Sequence, residues 1–572
     1  MQKHYENIIV GGGPAALQCA YFFEKHGIDY IIFEKNDQCG SFFSQFPHSG
    51  RLISINKKYT GSDRAPTNPE CDKDFDLRHD WNSLLTDDNF SFKQYSDDFY
   101  PTNDCLVKYL NDFAEKYQLK IKYGTRIKEI NKYSLGDVAV GGVAETHDET
   151  KVKLCDKMYK VVAETGDVFT CNKLIIATGL GTMDIPENFQ QQYEGDRIKH
   201  YSEYKKGFFL DKKNLSEFVN KHVAIVGGGN SSYELANILN EITSNVTIIC
   251  KDANKFAIKT HYAGDLRGVY TGFLDTFFLK SLNAVDDGTL LISKQNITKI
   301  DPASKYRYAI IERKNNAFLM RCFANRKFED YSFFDKVILC TGWKFDASIF
   351  KFDVALDKKL PKINTKYESA NNHNLFFIGS LMQSLDYKKS SGAFIHGFRY
   401  LIKCFVNINY NLPNQMKLIK FGDRNNYDIF LSSIVQYIIL RMNTSSAIYQ
   451  MFGYLADVIF YNKQKKEAIY QEEIPYRHTI DRNTKYNDQM IYFIITLEYG
   501  APVNEIDKLG KRETAVGHEN KSTLLHPLIQ IYDYDHSIID VVNFDEDLYA
   551  IFTDKKKYVD KLERLLRSYI FV

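Results

Sequence analysis

The chain has 572 residues, with 74 Lys+Arg against 72 Asp+Glu and a net charge of +2. That length predicts about two to four domains, and the balanced charge argues against a nucleic-acid binder. Hydrophobic residues make up 44% and aromatic residues 14%, which excludes bulk disorder. The ten cysteines contain no C-x-x-C pair, so zinc ribbons, thioredoxin-like sites and small disulfide scaffolds are also excluded. The opening MQKHYENIIVGGGPAAL lacks the apolar core and cleavage site of a signal peptide. The stretch around 428–440 is too short and too polar to span a bilayer. The ending RLLRSYIFV carries no retention or prenylation signal. A cytoplasmic protein with no membrane partner is the expectation.

In chain order, ENIIV reads as a short buried strand, followed by Gly11-Gly12-Gly13-Pro14-Ala15-Ala16 and the apolar helix LQCAYFFEKHG. A second strand, DYIIF, ends at Glu34-Lys35. Residues 133–172 alternate polar and apolar and predict an antiparallel meander, and LIIATG (174–179) is a buried strand stopping at Thr178-Gly179. The opening grammar then repeats. HVAIV runs into Gly227-Gly228-Gly229-Asn230-Ser231-Ser232, then the helix YELANILNEI, then the strand NVTIIC ending at Lys251. Two further buried strands end in glycine, VILCTG (337–342, with Thr341-Gly342) and LFFIGS (375–380, with Gly379). From about Leu401 helical runs follow, FLSSIVQYIILRM and SAIYQMFGYLADVIF, with late strands such as MIYFIITLEYG.

A lone G-x-G-x-x-G is weak evidence, whereas two copies inside complete β-α-β frames are strong. In the first, Gly11 permits the tight bend, Gly13 lets backbone approach a pyrophosphate and Ala16 allows close helix–strand packing. The helix N-terminus, with Pro14 and Ala15, offers N–H groups to phosphates, and Glu34 stands where an acid binds a ribose diol. Gly227, Gly229 and Ser232 repeat these roles, flanked by Asn230 and Ser231. The second unit ends in Lys251, a cation that pairs with a 2′-phosphate and favours NADPH over NADH, unless it is a solvated loop lysine. Two dinucleotides in one chain imply electron transfer from nicotinamide to flavin. The predicted fold is α/β, with two Rossmann-type dinucleotide-binding domains, for FAD and NADPH, plus a C-terminal α+β region. The expected bounds are 1–210 and 330–404 for the FAD domain, 211–329 for the inserted NADPH domain and 405–572 for a C-terminal extension that covers the active site.

The segments GSFFSQFP (40–47), LISINKKYTG (52–61), LRHDWNSLL (77–85), THYAGDLR (260–267), FIHGFRY (394–400), IYQMFGYLADVI (448–459), EYG (498–500) and LHP (525–527) resemble the flavin-containing monooxygenase superfamily. Within it they are similar to the endoplasmic-reticulum FAD-dependent oxidoreductase-domain flavoproteins associated with degradation. The superfamily fingerprint is present loosely, as Tyr193-x-Gly195, His200 and Tyr204, and Cys39-Gly40-Ser41-Phe42-Phe43 replaces the usual G-G-x-W. The resemblance implies FAD, NADPH, a small-molecule substrate and an asparagine beside the flavin ring, here Asn56.

Asn56 is accordingly the catalytic candidate, as a donor to a flavin peroxide, its alternative being a turn asparagine. In His79-Asp80-Trp81, Trp81 either walls the flavin or anchors the core. Lys35, Ser41, Thr178, Gly179, Thr341, Gly342 and Gly379 complete the cofactor-binding set. Asp265 and Arg267 reach the nicotinamide side or form a structural ion pair, and His396 with Arg399 opens a helix, with core packing favoured. No metal is expected, since the histidines lack ligand spacing, and no C-x-x-x-x-C dithiol follows the first unit. Three functions stay open: an FAD- and NADPH-dependent monooxygenase, a flavin reductase or oxidase serving quinone, disulfide or oxygen, and a flavin-stabilised interaction module. A homo-oligomer or a protein partner would use the C-terminal region.

Overall fold

The protein is described by a computed structural model covering residues 3–60, 69–132, 158–190, 198–250, 290–294, 297–301, 308–312, 331–387, 389–412, 418–421, 427–480, 490–498, 525–547 and 549–570. The first unit is built from β1 (Lys3–Val10), α1 (Pro14–His26), β2 (Ile31–Phe33), α2 (Ser41–Gln45), α3 (Pro69–Leu77), α4 (Asn103–Lys116), β3 (Ile121–Lys122), β4 (Ile127–Lys132), β5 (Tyr159–Ala163) and β6 (Val168–Ile176). Its strands form a seven-stranded sheet in the order β3-β2-β1-β6-β5-β4, with the strand Leu375–Phe377 also on β6. β1 pairs in parallel with β2 and β6, placing Ile8 beside Ile31 and Leu174. On the other side, the first half of β6 pairs antiparallel with β5 and its last turnless stretch pairs in parallel with Leu375–Phe377. Of the meander expected over 133–172, the described part forms the antiparallel pair β5 and β6, which β4 joins from just before that range, while 133–157 lies outside the described residues.

Local chemistry sets the limits of α1. Pro14 occupies a first-turn position whose N–H would be unpaired in any case. At the other end Gly27 adopts φ 63°, and the N–H groups of Gly27 and Ile28 donate to the carbonyls of Glu24 (3.2 Å) and Phe23 (2.9 Å), a glycine-terminated helix end. Between these ends Ala15 through Phe23 are buried, against the sheet and the helix Ile395–Asn409.

The second sheet contains β7 (Ile198–His200), β8 (His222–Val226), β9 (Asn245–Cys250), β10 (Leu290–Lys294) and β11 (Lys336–Leu339), with α5 (Asn230–Asn240) joining β8 to β9. All pairs are parallel, in the order β10-β9-β8-β11-β7. The boundaries expected at 210 and 330 are therefore corrected: 198–200 and 336–339, including the first residues of VILCTG, belong to the second sheet and not to the first. Buried parallel strands are apolar on both faces and carry no mark of which sheet they join.

The C-terminal region follows α6 (Ile395–Asn409) and contains β12 (Leu418–Phe421), α7 (Tyr427–Thr444), β13 (Leu455–Asn462), β14 (Glu467–Pro475), β15 (Met490–Glu498), β16 (His526–Tyr532), β17 (Ile538–Asn543) and α8 (Asp560–Ile570). Its strands make an antiparallel six-stranded sheet, β12-β14-β13-β15-β16-β17. FLSSIVQYIILRM is helical, as expected, within α7. SAIYQMFGYLADVIF is not one helix: a short helix, Ser446–Gln450, gives way at Gly453 to β13, whose residues Leu455–Tyr461 are all buried. A run apolar on every side has no periodicity to separate helix from strand.

Arg441 of α7 joins this region to the first unit. Its guanidinium donates to both carboxylate oxygens of Asp457 (2.7 and 3.2 Å), to Glu473 (3.2 Å) and to Asp74 of α3 (3.3 Å). Arg78 donates to the carbonyls of Met442 and Ser445. Arg399 of α6 donates to those of Leu77, Asp80 and Ser83. Among the described residues no helix is long and apolar enough to cross a membrane.

Candidate active site

Both glycine turns have the same construction. Gly11 has φ 103° and Gly227 φ 127°, in the region that only glycine enters cheaply. A Cβ at Gly11 would stand 2.8 Å from the carbonyl oxygen of Ala177, and one at Gly227 would stand 2.3 Å from that of Cys340. Each turn thus crosses closely over the end of the neighbouring strand, β6 for the first and β11 for the second. Gly13 and Gly229 have nothing within 4 Å of a Cβ. Behind these turns α1 and α5 begin, presenting unpaired backbone N–H groups to open space. Glu34 closes the first turn from below: its Oε2 accepts the Gly12 N–H at 2.6 Å, and its Oε1 accepts the backbone and side-chain N–H of Asn36 at 2.9 and 2.8 Å. Asn36 in turn donates to Ser41 Oγ at 2.7 Å, and Lys35 is exposed. This donor and acceptor set fits an FAD pyrophosphate and ribose.

The two turns open onto one cavity of about 400 Å³. The first unit supplies Gly13, Pro14, Ala15, Thr178, Gly179, Gly379 and Ser380, and the second supplies Asn230, Ser231, Glu234 and Trp343. Phe42, Phe46, Tyr201 and Trp343 form an aromatic wall, with ring centroids 5.1 Å apart for Phe42–Phe46 and 5.2 Å for Phe46–Trp343. Phe42 and Phe394 remain 49% and 48% exposed at the rim. Glu234, Tyr201 and Trp343 are among the lining residues that went unread in the sequence. The signal for Glu234 was its i+4 spacing from Asn230 on one helix face.

Several expected site residues are elsewhere. Asn56 does not line the cavity. It is 1% exposed, and its amide N–H groups donate to the carbonyls of Ser96 (2.8 Å) and Asp98 (3.3 Å), so its donors are committed to a loop; this corrects its catalytic assignment. Trp81 is likewise corrected. It stacks on His396 at 4.2 Å and 20° and donates to the Arg78 carbonyl at 3.1 Å, outside the cavity wall. LRHDWNSLL is a packing motif, in which Asp80 accepts the N–H groups of Asn82 and Ser83. His396 packs in the core, as favoured, and burial with nearby Arg399 holds its ring neutral, well below the usual histidine range.

Gly11, Ala16 and Ser232 act beneath the turns: Ala16 and Ser232 are fully buried in the helix–strand contact. Thr341 Oγ1 donates to the Asp184 carbonyl at 2.6 Å, and Gly342 holds φ 84° at the end of β11. His200 is structural: Nδ1 accepts the Ser202 N–H (3.2 Å), so Nε2 donates to the Gly342 carbonyl (3.2 Å). Burial lowers its pKa against that bond. Lys251, 260–267, Tyr193 and Gly195 lie outside the described residues. The described part of the C-terminal region does not line the cavity; it supports the 391–398 segment from behind, with the Ser391 N–H donating to the Gln450 carbonyl at 3.2 Å. Among the described residues no group of three or more metal-ligating side chains is present.

Two family models described as pyridine nucleotide-disulphide oxidoreductase match residues 5–259 and 142–379. The chain is 31% identical over 558 residues to FAD-dependent oxidoreductase domain-containing protein 2 of Mus musculus, covering 93% of this chain and 76% of that protein. It is 29% identical over 567 residues to the Danio rerio protein of the same name, with 92% and 76% covered. A more distant relative is indole-3-pyruvate monooxygenase YUCCA6 of Arabidopsis thaliana, 22% identical over 295 residues, 50% of this chain and 57% of that one. The paired dinucleotide turns and the full-length similarity together establish that the chain belongs to the FAD-dependent oxidoreductase domain-containing protein 2 family of flavoproteins.

Proposed function

We propose that the protein binds FAD at its first glycine turn and NADPH at its second, and oxygenates a small apolar substrate in the cavity between them. The observation that carries this reading is the shared cavity: residues beside both turns line one space, as transfer of electrons from a nicotinamide to a flavin requires. FAD held at the first turn would supply two-electron chemistry between a reduced nicotinamide and oxygen or another acceptor. The N-termini of α1 and α5 hold the phosphates, Glu34 holds the first turn in shape, and Lys251 pairs with the 2′-phosphate. Phe42, Phe46 and Trp343 keep water from the reacting atoms, which oxygen transfer needs.

A second reading, a flavin reductase or oxidase passing electrons to quinone, disulfide or oxygen, is favoured by one observation: the amide N–H groups of Asn56 donate to Ser96 and Asp98. For a disulfide the acceptor would come from outside, as no described cysteine lines the cavity. The deciding experiment is stopped-flow spectroscopy of the purified holoprotein, with NADPH or NADH under anaerobic conditions and then with oxygen. Faster reduction by NADPH and a transient before oxidised flavin returns support oxygenation. Reoxidation in a single phase, with and without NADP⁺, leaves the reductase or oxidase; no reduction by either nucleotide overturns both.

A further inference from the structure

Behind the cavity mouth, carboxyls from two parts of the fold meet at one junction. Asp386 is buried just after the 3-10 helix Gly379–Leu385, whose first residues, Gly379 and Ser380, line the cavity. Its Oδ2 accepts the Ser390 N–H at 2.9 Å and the Ser390 hydroxyl. It thereby fixes the start of the segment that carries Ala393 and Phe394 to the cavity wall. Glu498 ends β15, and a Cβ at Gly453 would stand 2.7 Å from its Oε2, so this carboxyl rests on the turn before β13. The same turn holds the segment from behind. Met451 Sδ lies 3.5 Å from the Ser390 hydroxyl, and a Cβ at Gly397 would stand 2.0 Å from the Ser391 carbonyl oxygen and 2.9 Å from Met451 Sδ.

Among the described residues, Lys389 faces both acids and Arg477, in the short helix after β14, faces Asp386. Thr496 Oγ1 donates to Glu498 Oε1 at 3.0 Å. Tyr454 and Tyr367, joined through their hydroxyls at 3.3 Å, face Asp386 and stay neutral, because burial pushes both up. Burial raises Glu498 to about 7; the Thr496 hydrogen bond opposes the rise, the Asp386 charge adds to it and Lys389 subtracts. Burial also raises Asp386, against Ser390, Lys389 and Arg477. Below neutral pH the pair thus carries one negative charge at most, and above it two like charges share a poorly solvated junction. β15 is hydrogen-bonded on both sides, by β13 and β16, whereas Lys389 and Phe394 are exposed, so the loop is the part that yields.

We propose that Asp386 and Glu498 form a proton-controlled latch between the C-terminal sheet and the 386–394 loop, which holds Phe394 over the cavity while Glu498 is protonated and frees it when both carboxyls are charged. This rests on the shared-cavity reading above, which puts the flavin behind Phe394.

The test uses the purified yellow protein between pH 6 and pH 8, read in two ways: acrylamide quenching of flavin fluorescence, and hydrogen exchange of the 386–398 segment. Glu498→Gln keeps the shape without the charge, and its FAD content reports folding. Each wild-type value is divided by that of Glu498→Gln at the same pH, which removes the intrinsic pH dependence of both readouts. The ionised fraction of a group near 7 rises about ninefold over this range, so both ratios should climb along one titration curve centred near pH 7. Asp386→Asn leaves one charge at most in the junction and should give flat ratios, as a repulsion between two carboxylates requires. Exchange ratios that stay flat in wild type, or a climb that survives in Asp386→Asn, overturn the latch alone. Exchange that follows the curve while quenching stays flat upholds the latch and overturns the placing of the flavin behind Phe394.

Discussion

Glu34 Oε2 accepts the N–H of Gly12 at 2.6 Å, and the acid is thereby part of the turn from which α1 and β2 separate it in sequence. Glu34→Ala leaves that buried N–H without its acceptor, at a cost of about 1–3 kcal/mol. The expected outcome is a lower melting temperature together with loss of FAD on gel filtration. Unchanged FAD retention would show that Glu34 neither shapes the turn nor touches the ribose.

Gly13 separates binding from stability. A Cβ there meets nothing within 4 Å, so Gly13→Val intrudes on the phosphate space without a clash in the protein itself. The variant should purify colourless yet show the circular dichroism of wild-type apoprotein. A yellow Val variant would place the flavin elsewhere.

Asn56→Ala removes two hydrogen bonds to loop carbonyls. It should destabilise the protein by about 1–3 kcal/mol and leave the kinetics of flavin reoxidation unchanged. Faster reoxidation with more hydrogen peroxide, at unchanged melting temperature, would restore Asn56 to the active site.

Nicotinamide choice is a question of charge. If Lys251 pairs with the 2′-phosphate as proposed, Lys251→Glu replaces an opposite charge by a like one, and an NADPH over NADH preference in flavin reduction should narrow or reverse. Equal preference in both proteins would make Lys251 a surface residue.

Acid should attack the junction between the units. Burial disfavours the Glu473 carboxylate, but Lys403 at 2.9 Å and Arg441 at 3.2 Å outweigh it and hold the carboxyl below its ordinary 4.5. A depressed carboxyl stabilises the fold above its unfolded pKa, and that contribution is lost as pH falls below about 4.5. Glu473→Gln should therefore lower stability at pH 7 and flatten its fall between pH 5 and pH 3, measured by urea unfolding. Arg441→Ala, which strands the Asp457 carboxylate, should cost about 3–5 kcal/mol. A variant as stable as wild type at pH 7 would remove the network from the account of how α7 is held.

Sequence by itself determined the two dinucleotide units, because their signals are local. The bends at Gly11 and Gly227 need positive φ, strand and helix follow directly, and α7 shows a long helical run. Only the tertiary structure decided which sheet received VILCTG, because a strand buried on both faces reads the same in either sheet. It also decided that Asn56 and Trp81 stay out of the cavity lining: their partners Ser96, Asp98 and the ring of His396 are set by packing and not by spacing. The cavity itself belongs to this second class. Phe42, Tyr201, Glu234 and Trp343 are far apart in sequence and meet only where two separately folded sheets bring their strand ends together, so the wall that governs what binds has no contiguous trace in the chain.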